Sequence, residues 1–247
     1  MIRYTFITIL ISLFTFSTVG QKTVDHTLFD ELLQEYVDEE GLVDYQGLKK
    51  DRNRLKKYLS ILSQNPPADS WTESQQLTFW INAYNAYTLD LILEHYPVSS
   101  IKDLGSTIKI PFVSTAWDIK FINIGGEEYD LNNIEHGIIR KEFDEPRIHF
   151  ALVCAAVSCP KLQNRAFIPE TLDEQLTKAT REFLADESKN FFKSAKKARL
   201  SKIFNWYGGD FNNEGTLVDY LNQYAPTQLD KNAKIDWMDY NWALNER

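Results

Sequence analysis

The chain has 247 residues, of which 27 are basic, 35 are acidic and 43% are hydrophobic. This composition excludes a disordered chain, and the lack of basic clusters interleaved with aromatic residues speaks against a nucleic-acid partner. The sequence has no phosphate-binding glycine loop, no Gly-x-Ser-x-Gly elbow and no dinucleotide fingerprint. Nucleotide chemistry and serine hydrolysis of that type are therefore not expected.

The first twenty residues have the layout of a secretory signal peptide. Arg3 supplies a positive start, residues 6–16 are almost wholly apolar, and residues 17–20 are suited to cleavage. The apolar run is short for a membrane span, and an uncleaved anchor helix is the alternative. We therefore expect an exported, periplasmic or secreted protein with one domain over residues 21–247. Membrane contact is expected only through an uncleaved signal segment.

Helical periodicity dominates the first part of this domain. Asp25 is predicted to cap a helix that ends at Gly41, and a second helix is predicted to stop at Pro66. Thr72 and Gln75 form a capping box that begins the longest predicted helix. The second helix carries its apolar face on Leu48, Leu55, Leu59 and Leu62.

The hydrophobic period changes in the middle of the chain. Alternation over residues 117–121 predicts a strand, and Gly125-Gly126 predicts a hairpin turn toward residues 127–129. The remaining predicted elements are a helix over 131–143 capped by Asp130, a buried strand over 148–157, a helix opened by a Thr171–Glu174 capping box, and a helix over 216–224. Together these elements predict an α+β single domain, mostly helical and packed around a small β-sheet.

Short motifs in a fixed order resemble a known family. In chain order they are FWINAYNA at 79–86, NIEHGI at 133–138, RIHFALVC at 147–154 running into SCP at 158–160, LSKIFNWY at 200–207, DF at 210–211 and YNWALN at 240–245. Spanning about residues 75–245, they look like the family called domain of unknown function 547, often found on exported bacterial proteins. Asn241 departs from the Asp that the resemblance implies there. The family has no settled activity, so the resemblance implies a fold and residues of interest but no reaction.

The third motif contains both cysteines of the chain, Cys154 and Cys159. Cys159 precedes Pro160, and proline is favoured in the first turn of a helix, where free backbone N–H groups lower the pKa of a thiol. Cys159 is therefore a candidate nucleophile, with His136 or His149 as its base. This is the logic of acyl transfer by cysteine peptidases, amidases and transglutaminases.

A histidine base of this kind needs a polar group to orient it. Glu135 is one candidate, and the amides of Asn82 and Asn85, which share one helix face, are others. The same two amides have a structural interpretation, in which they hydrogen-bond to backbone inside the core. The candidate substrate-binding residues are Asn82, Asn85, Trp80, Trp206 and Asp210.

The cysteines and histidines also have structural interpretations. Free cysteines are among the most buried residues, and Cys154 and Cys159 can form a disulfide if a turn brings their Cα atoms within about 7 Å. No tight zinc spacing occurs, so no metal or other cofactor is expected. Two hypotheses follow. One is an exported enzyme that uses Cys159 on an amide or thioester of a peptide or cell-wall fragment. The other is a non-catalytic envelope module that binds a peptide or glycan in an aromatic cleft.

Overall fold

The computed structural model describes residues 22–107, 115–213 and 215–247. The predicted signal peptide over residues 1–20 lies outside these ranges. Within them, no helix combines the length and the apolar character needed to cross a membrane.

The described residues form helices and two small sheets. The helices are α1 (Thr27–Tyr36), α2 (Tyr45–Lys50), α3 (Arg52–Gln64), α4 (Glu73–His95), α5 (Lys102–Thr107), α6 (Arg140–Glu142), α7 (Leu172–Ala185), α8 (Ile203–Trp206) and α9 (Leu217–Tyr224). A π-helix over Asn133–Ile139 runs directly into α6, and 3-10 turns cover Ala116–Asp118, Pro146–Phe150, Pro169–Thr171 and Asp210–Asn212. The strands are β1 (Ile122–Ile124), β2 (Glu127–Tyr129), β3 (Phe191–Ser194), β4 (Lys197–Leu200) and β5 (Lys234–Trp237).

Strands β1 and β2 form an antiparallel hairpin, and the second sheet has the order β3-β4-β5. In that sheet β3 and β4 are antiparallel, whereas β4 and β5 are parallel. The predicted hairpin turn is confirmed, because Gly125 and Gly126 have φ angles of 65° and 89°, which glycine adopts at low cost in such turns. The predicted α+β class is confirmed as well.

Helix α4 forms the centre of the domain. It begins with the predicted capping box, in which Gln75 N donates to Thr72 Oγ1 and Thr72 N donates to Gln75 Oε1. Every residue from Leu77 to Leu93 is buried, which is the pattern of a helix surrounded on all sides. Helices α2 and α3 and the π-helix pack against it.

A second hydrophobic cluster connects the 3-10 turn before the cysteines to α7 and α8. Phe150 lies 5.1 Å from Phe183 and 5.6 Å from Phe204, measured between ring centroids. Phe211 lies 5.0 Å from Phe204. Packing of this kind fixes the turn that contains His149 relative to the segment that contains Asp210.

The C-terminal segment is tied to distant parts of the chain. Leu244 pairs with Ala156 in an antiparallel bridge. Asn245 Oδ1 accepts a hydrogen bond from the Tyr45 hydroxyl at 2.8 Å, and Asn245 Nδ2 donates to Gly41 O at 3.1 Å. These contacts hold the aromatic residues of the YNWALN motif beside the loop that contains the cysteines.

The prediction of a strand over residues 148–157 is wrong. Pro146 begins the 3-10 turn, and the Glu145 side chain accepts a hydrogen bond from Arg147 N at 3.0 Å. A proline and a capping carboxylate favour a helical turn. The segment is apolar because it is buried, and an apolar run of this length also resembles a buried strand.

Other predicted boundaries also differ. The strand expected over residues 117–121 begins only at Ile122, because Thr115 and Asp118 form a capping box around a 3-10 turn. The second predicted helix is divided at Asp51 into α2 and α3. Helix α1 ends at Tyr36, five residues before Gly41.

The start of α7 differs in its chemistry rather than its position. Thr171 precedes the helix but makes no side-chain cap, so the predicted box with Glu174 is wrong. The side chain of Gln175 bonds to the backbone before the helix instead, because its Oε1 accepts a hydrogen bond from Ile168 N at 2.9 Å. The helix predicted near residues 216–224 is confirmed as α9, with a capping box between Thr216 and Asp219.

Candidate functional site

A cavity of about 220 Å³ lies where α4, the π-helix, the cysteine loop, α8 and the C-terminal segment meet. Its aromatic lining residues are Tyr84, Trp117, Trp206, Tyr207, Tyr240 and Trp242. Its polar and sulfur-containing lining residues are Asn132, Glu135, His136, His149, Cys154 and Cys159. The cavity therefore brings together four residues predicted as catalytic, namely Glu135, His136, His149 and Cys159, with Trp206 from the predicted binding set.

Glu135 projects from the π-helix, a widened helical turn of the kind that is frequent at functional sites. The residue is only 6% exposed. Its Oε1 accepts from the Tyr207 hydroxyl at 2.7 Å, and its Oε2 accepts from the Tyr84 hydroxyl at 3.0 Å. Burial raises the pKa values of both tyrosines, and the adjacent Glu135 charge raises them further. Both hydroxyls therefore stay protonated and donate.

Asp210 lies at the edge of this site and joins two neighbouring groups. Its Oδ2 lies 2.7 Å from His149 Nε2 and 2.6 Å from Arg140 Nε, and its Oδ1 accepts from Arg140 Nη2 at 2.8 Å. Burial would raise the pKa of Asp210, but hydrogen bonds from His149 and Arg140 outweigh it and hold that pKa well below its usual range. Asp210 is thus an ionised, paired carboxylate.

His149 is buried, and its ring stacks on Tyr207 with 4.0 Å between centroids. Burial lowers the pKa of His149, although the hydrogen bond to Asp210 acts in the opposite direction. Neutral His149 donates from Nε2 to the Asp210 carboxylate, because that carboxylate can only accept. Asp210 therefore orients His149, a role that was predicted for Glu135 or an amide.

His136 is the exposed histidine of the site. Its Nδ1 lies 3.0 Å from Arg140 Nη1 and 3.9 Å from Glu135 Oε1. A guanidinium can only donate, so His136 Nδ1 accepts in this contact. Within the described ranges, no group of three or more histidine, cysteine or acidic side chains is arranged to hold a metal ion.

Cys154 and Cys159 form a disulfide, with their Cα atoms 6.2 Å apart. An intervening turn makes this possible, and Ala155 adopts a positive φ of 56° within it. Cys154 N donates to Cys159 Sγ at 2.9 Å. No helical turn follows Pro160, so the expected N–H donors at a helix start are replaced by this single backbone donor.

The disulfide changes the meaning of the predicted Cys–His pair. Cys159 has no free thiol in this state and is not a nucleophile while it is bridged. Among the described residues, neither His136 nor His149 hydrogen-bonds to a cysteine sulfur; their partners are Arg140 and Asp210. The Cys154 sulfur lies 3.4 Å from the Tyr240 hydroxyl instead.

The aromatic wall of the cavity is a chain of rings in contact. Trp242 lies 5.8 Å from Trp206, 4.6 Å from Tyr240 and 5.9 Å from Trp117, between ring centroids. Trp206 is 46% exposed although it is large and apolar. Tyr84, which lines the same cavity as Trp117, donates its hydroxyl to Glu135 Oε2 and so connects this cavity lining to the carboxylate.

Three predicted binding residues lie away from the cavity. Asn82 bonds to the backbone of Phe167, and Asn85 bonds to the backbone of Ala151 and Val153. Both amides thus follow the structural interpretation. Trp80 is buried and packs edge-on against Phe79 and Tyr129.

Several members of the site were not singled out from the sequence. Tyr207 and Trp242 lie inside the family motifs, and their place in a motif was the sequence signal that could have identified them as site residues. Tyr84 also lies in a family motif, at 79–86. Trp117 and Arg140 had no local signal, because only tertiary contacts give them their partners. Asn241 Oδ1 accepts a hydrogen bond from Ala243 N at 3.0 Å, and an aspartate carboxylate is an acceptor of the same kind.

Residues 68–184 match the model of a family described as a protein of unknown function, DUF547. The matched range contains α4, the π-helix and both cysteines, whereas Trp206, Tyr207 and Asp210 follow it. No curated protein and no solved structure shows significant similarity to the chain.

Proposed function

The chain contains a DUF547 family domain, whose description names no reaction, and we propose from the geometry of the cavity that it is a non-catalytic binding module. Its ligand is a peptide or a glycan held in the aromatic cleft. The signal-peptide pattern of residues 1–20 suggests the cell envelope as its place of action. The observation that carries this proposal is the wall formed by Trp117, Trp206, Trp242 and Tyr240, open to solvent at Trp206.

Aromatic walls suit such ligands for a physical reason. Tryptophan and tyrosine provide large, rigid contact areas at low cost in conformational entropy. Pockets of this type combine an apolar surface with a few polar groups that fix the orientation of the ligand. Glu135 and His136 supply those polar groups here. Burial of an exposed tryptophan by a ligand is also a typical source of binding energy.

The test compares two exposed tryptophans, one inside the cavity and one outside it. Trp206 lines the cavity, whereas Trp237 on β5 is 40% exposed and does not. Muropeptides and glycan oligomers are titrated by calorimetry against the wild type, Trp206→Ala and Trp237→Ala. We expect Trp206→Ala to raise Kd at least tenfold, which is about 1.4 kcal/mol, and Trp237→Ala to leave it unchanged. Equal effects of both variants, or turnover of the ligand seen by mass spectrometry, would contradict the proposal.

A second candidate function, cysteine-dependent acyl transfer or amide hydrolysis, is favoured by one observation. Cys159, His136, His149 and Glu135 line the same cavity. Two equivalents of an external thiol would have to reduce the disulfide first, leaving two protein thiols and one small-molecule disulfide. The Cys154 N–H that points at Cys159 Sγ would then stabilise a Cys159 thiolate.

This second function has its own test. Amide substrates are incubated with reduced protein, and the release of amine is followed. Activity that appears only after reduction, survives Cys154→Ser and is lost in Cys159→Ser would support it. Absence of amine release from fully reduced, folded protein would leave the binding module as the sole proposal.

A further inference from the structure

Glu135 is the one carboxylate among the described residues that line this cavity, and Arg140 acts on its charge only from beyond salt-bridge distance. Its two oxygens receive neutral tyrosine hydroxyls. Among the described residues, no lysine or arginine nitrogen lies within 4.0 Å of it, and its ion-pair contact is His136 at 3.9 Å, which counts only when the imidazole is protonated. Hydrogen bonds lower the cost of burying a carboxylate but do not remove its charge.

Asp210 shows the contrast. It is less buried than Glu135, yet it forms an ion pair with Arg140 and a hydrogen bond with His149. Arg140 pairs with Asp210, so the negative charge of the site that has no lysine or arginine partner among the described residues is that of Glu135. The Glu135 side chain lines a cavity that also has aromatic rings in its wall.

Aromatic faces carry partial negative charge and attract cations whose centres lie within about 6 Å of the ring centroid. Two rings of this cavity already do so with protein cations. The Arg140 guanidinium carbon lies 5.0 Å from the Tyr207 centroid, and Lys102 Nζ lies 5.0 Å from the Trp242 centroid. The site thus combines a buried anion with rings that accept cations.

The geometry points to an ammonium group as the part of the ligand that enters the cavity, with its positive charge paired to Glu135 and its carbon substituents against Trp206 and Trp242 of the aromatic wall. This inference deepens the proposed binding function and rests on it. The ammonium group is the shared chemistry of two sources, an amino sugar with a free amine and a peptide with a lysine-type side chain. A weakly hydrated alkylammonium suits the aromatic surroundings better than a small inorganic cation does.

The experiment uses choline and its neutral isostere 3,3-dimethylbutan-1-ol, titrated into the intact protein by calorimetry. The two probes have the same shape and differ in charge. We expect the Kd of choline to be at least tenfold lower than that of the alcohol. Comparable affinities, or no binding of choline, would overturn the inference with wild-type protein alone, whatever the variants do.

Two matched variants locate the charge. Glu135→Gln removes it with little change of volume, and Glu142→Gln removes an exposed carboxylate on the adjoining α6. We expect Glu135→Gln to raise the Kd of choline at least tenfold without changing that of the alcohol, and Glu142→Gln to change neither. An unchanged choline affinity in folded Glu135→Gln would overturn the assignment of Glu135.

Two further probe pairs distinguish the sources. Glucosamine is compared with N-acetylglucosamine, and Nα-acetyl-lysine methylamide with its Nε-acetylated form. The pair with the larger preference for the charged member identifies the source, and no preference in either pair would count against the inference. If neutral glycans or peptides bind and depend on Trp206 while choline does not bind, the proposed function stands and the ammonium inference is wrong. If no probe of any kind binds, both are wrong.

Discussion

The Asn82 side chain and the backbone of Phe167 form two hydrogen bonds in opposite directions. Asn82 Nδ2 donates to Phe167 O at 2.8 Å, and Phe167 N donates to Asn82 Oδ1 at 3.1 Å. Asn85 repeats the arrangement one helical turn later with Ala151 O and Val153 N. Helix α4 thus supplies hydrogen-bond partners to backbone groups of two buried loop segments. The second of these segments leads directly into the cysteines at the cavity.

We predict that Asn82→Leu lowers the free energy of unfolding by about 1–3 kcal/mol for each buried backbone group left without a partner. Two such groups belong to Phe167, so the expected total is about 2–6 kcal/mol. Urea denaturation of the purified variant measures the change. The matched control is Asn205→Leu at an exposed position, which is expected to stay within about 0.5 kcal/mol of wild type. A variant as stable as wild type would show that the amide is dispensable.

We predict that the native protein contains no reactive thiol. Iodoacetamide under non-reducing, non-denaturing conditions should add no mass, and reduction followed by alkylation should label both Cys154 and Cys159. Reduction should lower the free energy of unfolding by about 2 kcal/mol, because closure of so short a loop removes limited chain entropy from the unfolded state. Labelling of the oxidised, folded protein at either residue would contradict the disulfide.

We predict that stability falls between pH 7 and pH 5 because of His26. This histidine is buried, its Nδ1 lies 2.6 Å from the Tyr58 hydroxyl, and burial lowers its pKa from 6.5 to about 4, with Asp25 opposing the shift. Below pH 6.5 His26 is protonated in the unfolded chain, whereas in the native state it is protonated only below about pH 4. The free energy of unfolding therefore rises with pH in this window, and this group accounts for about 2 kcal/mol between pH 5 and pH 7.

The measurement is urea denaturation of wild type and His26→Gln at both pH values. The difference between pH 7 and pH 5 should shrink by about 2 kcal/mol in the variant. His149 contributes in the same direction, because burial lowers its pKa too, so some pH dependence remains. An identical pH dependence in the two proteins would show that His26 does not titrate as expected.

We predict that Arg140→Met raises the pKa of His149. The guanidinium lies beside His149 and shares Asp210 with it, and its positive charge disfavours the imidazolium. With that charge removed, Asp210 pairs with His149 alone and favours its protonated form. An NMR titration of the His149 ring protons measures the shift. Arg165→Met, at an exposed arginine paired with Asp30, is the control, and a downward shift in Arg140→Met would contradict the argument.

Local sequence signals predicted the long helix, the hairpin turn and α9 because each depends on residues close together in the chain. The capping residues of α4 bond within one turn, and the turn at Gly125 and Gly126 requires only that both residues tolerate a positive φ. The stretch over residues 148–157 was misassigned because its apolar character comes from burial against two hydrophobic clusters. Periodicity carries no information about that kind of environment.

The sequence by itself determined the α+β class and placed Glu135, His136, His149, Cys159 and Trp206 among the residues of interest, because their motifs are local. Only the tertiary structure decided how they combine. Asp210 reaches His149 across 61 positions and Arg140 across 70, and Tyr240 is 86 positions from Cys154. Such pairs form because the packing of distant segments brings their side chains together. The same packing places Cys159, the candidate nucleophile, in a disulfide with Cys154. It also places the Glu135 carboxylate at a cavity lined by aromatic residues.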